Sequence, residues 1–185
     1  MDEGIKGKER EGFESRTRQE SRSLKLALTG LLAGIYAITT FALGVISYEV
    51  LNLRLSNILI GIVPILGWPS VLGITLGVLL ANLGSPLGPI DLISPVFSLA
   101  GLTILYLVRR KSVLLGLISY SLILSIWVTT ELDIVGLVRN STFLLSFVTV
   151  LAGISFVVVV LGYLLYKALE AIGLGKMVEA KIGRT

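Results

Sequence analysis

Four polar residues stand at the ends of otherwise apolar stretches: Arg54, Asn57, Asn82 and Asp91. Arg54-Leu55-Ser56-Asn57 opens one stretch, Asn82 closes the next, and Asp91 opens the one after. A guanidinium can clamp a carboxylate or lie against a flat ring. Amides read the edges of a heterocycle, and a carboxylate accepts its donors. This is the chemistry of recognition. Glu49, Trp127, Glu131 and Asn140 are weaker candidates of the same kind, Trp127 because an indole can stack on a planar solute. Bond-making chemistry finds little support. The chain has no His and no Cys, so a serine would lack an imidazole base, and thiol nucleophiles, zinc and haem sites drop out. No Walker P-loop is present, so the chain is not expected to hydrolyse nucleotide or to be an enzyme. The acidic residues lie near segment ends, which argues against a proton relay in mid-membrane.

Each candidate also has a plain structural role. Arg54 can snorkel to headgroups, whereas the contrasting reading pairs it with Glu49 or Asp91 at the mouth of a pocket. Asp91 can cap a helix N-terminus. Asn82 can bond a neighbouring helix, Tyr48 and Trp127 can anchor at the interface, and Glu131 and Asp133 can sit in a solvated loop. Trp68 reads as an interface anchor or partner contact.

The elements that must position these residues are membrane helices. Of 185 residues, 54% are hydrophobic and 15% charged, with a mean hydropathy of +0.90. A soluble domain carries about a quarter charged residues. Six apolar spans follow a polar segment: 24–46, 53–66, 70–83, 90–108, 112–129 and 141–166. Spans of roughly 20 residues cross a bilayer, and the second and third are short for that. Gly67-Trp68-Pro69-Ser70 marks a turn between them. The expected fold is an all-α integral membrane protein of six helices. Its parts are a polar cytoplasmic tail over 1–23, a membrane domain over 24–169 and a short cytoplasmic tail over 170–185. The composition of the first tail reads as disordered, with a short surface helix as the alternative.

Six spans put both termini on one side. If that side is the cytoplasm, 14 of the 16 basic residues lie inside, leaving Arg54 and Arg139 outside. The positive-inside rule selects this orientation. The outer ends then collect Glu49, Arg54, Asp91, Glu131, Asp133, Arg139 and Asn140, which is where a solute would sit. Small residues line two helical faces. Gly30, Ala33, Gly34 and Ala37 in the first span suit close approach, either within the chain or to a partner helix. Gly73, Gly77, Ala81 and Ser85 in the third span suit internal packing.

The stretch 54–101 resembles the QueT family, small membrane proteins regarded as substrate-binding (S) components of energy-coupling factor transporters. The similarity rests on Arg54-Leu55-Ser56-Asn57, on Gly73-Ile74-Thr75-Leu76-Gly77-Val78-Leu79-Leu80-Ala81-Asn82, and on Ser85-Pro86-Leu87-Gly88 with Asp91. Looser similarity extends over most of 24–169. The resemblance implies six helices with both termini cytoplasmic, in a prokaryotic cell membrane. It implies partners: one transmembrane coupling protein and two ATPases that consume ATP, with no cofactor in this chain and no nucleic acid. It implies a helix-one docking face on Ala33 and Ala37, and a deazapurine queuosine precursor as solute. Two positions depart from the family pattern. Its usual Glu after Arg-x-Ser is Asn57 here, and a Gly-Glu pair in span six is Gly153-Ile154. Loss of two carboxylates leaves room for a neutral base, another vitamin or another heterocycle. A membrane scaffold without solute binding is the alternative class. A self-sufficient channel is weaker still, because no polar stripe runs through the spans.

Overall fold

The computed structural model describes residues 2–43, 54–138 and 143–182, with side chains from 19 to 180. Glu49 and Asn140, and with them Tyr48 and Arg139, lie outside the described residues. Among the described residues the chain is all helix: α1 (Asp2–Ala42), α2 (Leu55–Leu66), α3 (Trp68–Asn82), α4 (Gly88–Val108), α5 (Val113–Ile134), α6 (Phe143–Ala171) and α7 (Leu174–Ile182). Four segments are long and apolar enough to cross a membrane: 19–42 of α1, and α4, α5 and α6. The shorter apolar helices α2 and α3 coincide with the second and third expected spans. The chain is a multi-pass membrane protein.

Both terminal segments contain helix. Residues 2–23 are helical and continuous with the first span, where composition alone predicts disorder. The segment is rich in Glu and Arg and lacks proline, so a stable membrane helix can propagate into it. The C-terminal segment contains α7, which folds back: Val178 and Leu174 pack with Leu32, Leu66, Leu24 and Leu28. Gly173, at φ +74°, makes the reversal between α6 and α7.

The main core joins Tyr36 of α1, Ile60 and Val63 of α2, Val71, Ile74 and Val78 of α3, Leu102 and Leu105 of α4, Tyr120 and Leu124 of α5, and Val150, Ile154 and Val158 of α6. Helix α3 lies against α1 through its small residues. A Cβ on Gly73 would stand 2.7 Å from the Thr29 carbonyl oxygen, and one on Gly77 the same distance from Tyr36 Cβ. The expected internal packing of this stripe is therefore found. The Ala33 carbonyl oxygen lies 3.0 Å from the same Gly77 Cβ position, and Ala33 and Ala37 are both buried within the chain. Gly30 and Gly34 have open space where a side chain would project. Helix α2 begins as a 3₁₀ helix over Leu55–Ile62 and ends as an α-turn over Val63–Leu66. Helix α6 widens into a π-helical stretch over Phe156–Leu161.

Candidate functional site

One end of the bundle holds a dense polar network. It forms where the C-terminal end of α3, the start of α2, the 3₁₀ turn Gly88–Ile93 that opens α4, and the last turns of α5 meet. Arg54 Nη1 donates to Asn82 Oδ1 at 2.9 Å, and Nη2 donates to Asp91 Oδ2 at 3.0 Å. Asn82 Nδ2 donates to the Asp91 backbone oxygen and to Oδ1, both at 2.8 Å. Ser94, one helical turn after Asp91, donates to Asp91 Oδ1 at 2.7 Å. Arg54 is only 7% exposed and Asp91 is fully buried, so the ion pair lies within the protein.

These contacts replace three of the plain roles. Arg54 does not snorkel to the surface. Asp91 spends both oxygens on side chains of three other residues, and no side-chain cap bond is made at the start of α4. Trp127 does not act as a bare interface anchor: its Nε1–H donates to Ser94 Oγ at 2.7 Å. Phe97 stacks on its ring at 4.3 Å and 12°, so one face is already taken.

Glu131 is the least satisfied member. The expected loop is instead the last turns of α5, and Glu131 is 1% exposed. Its Oε2 stands 3.3 Å from Ser94 Oγ. A serine hydroxyl has one hydrogen, and the shorter contact to Asp91 claims it. Glu131 Oε1 has no hydrogen-bond partner among the described residues, and neither has the buried Thr129 Oγ1 two residues earlier. The ion pair with the guanidinium is made by Asp91, and the unused acceptor capacity sits on Glu131. An acceptor left unmade in the interior costs about 1–3 kcal/mol, more for a charged one.

Asn57 lies beside this network in a second one. Tyr36 donates its hydroxyl to Asn57 Oδ1 at 2.7 Å, and Thr40 and Ser56 hydroxyls meet at 2.7 Å. Ile154, the other departure from the family pattern, is part of the apolar core. Deeper still, Ser98 and Tyr120 hydroxyls lie 3.1 Å apart. Sequence reasoning picked out Arg54, Asn82, Asp91, Trp127 and Glu131, and the fold brings all five together. It missed Ser94, Phe97 and Thr129; the spacing of Ser94 from Asp91, three residues on a helix, was the available signal.

The fold and network define a helical membrane protein that buries a polar cluster at one end of its bundle. The chain belongs to the QueT transporter family, whose model matches residues 26–171. It is therefore a membrane transporter protein rather than an enzyme. No curated protein and no solved structure matches the chain.

Proposed function

We propose that the chain is the solute-capturing S component of an energy-coupling factor uptake transporter, and that the Arg54–Asn82–Asp91–Glu131 cluster is its binding site. The observation that carries the reading is Glu131 Oε1, a buried acceptor beside the cluster with no partner among the described residues. A solute that presents N–H donors at the edge of a flat ring would satisfy it. Asp91, Asn82 and Arg54 hold one another in place, so the site is formed before the solute arrives, which lowers the cost of binding. A queuosine precursor or a related base fits this demand, and family membership supports it. Asn57 and Ile154 are committed elsewhere, to Tyr36 and to the core, so the solute's donors fall to Glu131.

Both termini lie in the cytoplasm on this reading, and the cluster faces outward. Uptake is driven by ATP hydrolysis in partner ATPases through a coupling protein. The coupling protein meets α1 on its open side, at Gly30 and Gly34.

The test is ligand identification. Protein purified in detergent is denatured, and what it releases is identified by mass spectrometry. Thermal shifts are then measured with 7-deazaguanine bases and with unrelated vitamins. Stabilisation by a deazapurine that Glu131→Gln abolishes supports the reading. Stabilisation by none of these solutes, with nothing released, favours a scaffold without solute.

A further inference from the structure

The opposite end of the bundle carries a cleft of about 440 Å3, lined on one side by Pro64 and Ile65 and on others by Arg109, Arg110, Lys176 and Gly175. Tyr166, Glu170 and Glu179 complete much of the wall. Its carboxylates are in part already engaged. Glu170 accepts from Lys167 Nζ and from the Tyr166 hydroxyl, both at 2.8 Å. Arg110 and Lys176 form no ion pair among the described residues. The cleft also meets the start of α7. Gly173 turns the chain there, and the N–H groups of Leu174 and Gly175 have no acceptor inside the helix that they begin. Two cations and a helix N-terminus converge on one concave space, an arrangement that favours an anion.

The surroundings say where that anion comes from. Trp68 lies 5.2 Å from Tyr106, ring to ring, and the Arg109 guanidinium stands 3.7 Å over Tyr106. Aromatic rings interleaved with basic side chains at the ends of apolar helices mark the headgroup level of a bilayer. Exposed apolar side chains continue from this end, Leu107 on α4 and Leu164 on α6. A molecule here would have its charged part among Arg110 and Lys176 and its apolar part along the helices.

We propose that this cleft is a binding site for the phosphate of an anionic phospholipid headgroup. Arg110 and Lys176 hold the phosphodiester, the start of α7 adds backbone donors, and the acyl chains run along α4 and α6. Occupancy ties α7 to the α4–α5 turn across the cleft.

The proposal is tested on the full chain in a non-ionic detergent. Melting temperature is followed as phosphatidylglycerol, phosphatidylcholine or inorganic phosphate is added. Phosphatidylglycerol is expected to stabilise wild-type protein, with phosphatidylcholine and phosphate far less effective. Arg110→Gln with Lys176→Gln removes two exposed charges, leaves the core untouched, and is expected to weaken the phosphatidylglycerol effect by roughly 10-fold or more in half-saturating lipid. Arg22→Gln with Lys111→Gln removes the same charge from outside the cleft and is expected to retain most of the effect. Equal losses in the two double variants would overturn the site in favour of diffuse attraction. Equal stabilisation by both lipids would overturn the charge requirement, and saturation by inorganic phosphate without lipid would overturn the lipid.

Discussion

Glu131 is the residue on which the solute reading can be tested most sharply. Replacement by Gln keeps the shape of the side chain and removes its charge. A hydrogen bond to a charged group contributes about 1.5–3 kcal/mol, so solute affinity is expected to fall roughly 10- to 100-fold in Glu131→Gln. The solute-free variant is expected to melt no lower than wild type, because the buried acceptor is underused. Titration calorimetry and melting curves on the same preparation check both halves; unchanged affinity sinks the role given to Glu131. The Arg54–Asp91 pair is expected to behave differently. Removing either partner leaves a buried charge and costs about 3–5 kcal/mol. The double replacement Arg54→Met with Asp91→Leu is expected to cost much less than the sum of the two single changes. Additive losses would show that the pair is not coupled. The charged and amide members of the cluster were legible because such residues stand out against apolar sequence. Ser94 and Thr129 were not. Hydroxyls in membrane helices routinely bond the carbonyl four residues back, as Ser121, Ser125 and Thr75 do here, so their presence signals nothing by itself.

At the level of elements, α2 and α6 approach closely at Gly61 and Gly162. A Cβ on Gly61 would collide with the backbone of Gly162, lying 2.8 Å from its carbonyl carbon. The converse does not hold: a Cβ on Gly162 would stand 3.6 Å from Gly61 N, an ordinary contact. Gly61→Ala is therefore expected to destabilise by about 1–3 kcal/mol or more, since backbone cannot move aside as a side chain can. Gly162→Ala is expected to be neutral or slightly stabilising, as alanine is the better helix former. Equal effects in a thermal melt would contradict this geometry. The contact joins residues a hundred positions apart, and no local pattern announces it. The stripe Gly73–Gly77 was legible, by contrast, because its spacing repeats along one helix face. The helical continuation of α1 through residues 2–23 escaped a compositional reading, which weighs polarity but not the helix that the segment joins.

The whole molecule sets the depth of the site. Helix α2 has 8 residues in 3₁₀ form and 4 in α form, and α3 has 15 residues. At rises of ~2.0 and ~1.5 Å per residue each helix is roughly 22 Å long, against a hydrocarbon core of roughly 30 Å. Their shared turn at Gly67 lies at the basic end, so on the proposed outward-facing reading their other ends stop short of the far boundary. Irregular backbone at that depth is tolerated where protein buries it or a cavity is lined, and the turn before α4 with its buried Asp91 occupies that place. A recessed polar end beneath the surface suits capture from outside, and it ties the solute reading to orientation. The chain contains no cysteine, so single cysteines report orientation without a background. Gln19→Cys, Lys111→Cys and Lys176→Cys are expected to react with a membrane-impermeant maleimide only after cells are opened. Leu137→Cys, exposed just beyond α5, is expected to react in intact cells. Labelling of Lys111→Cys in intact cells would invert the bundle, place the Arg54–Asp91 network on the cytoplasmic side, and remove the basis for outward capture.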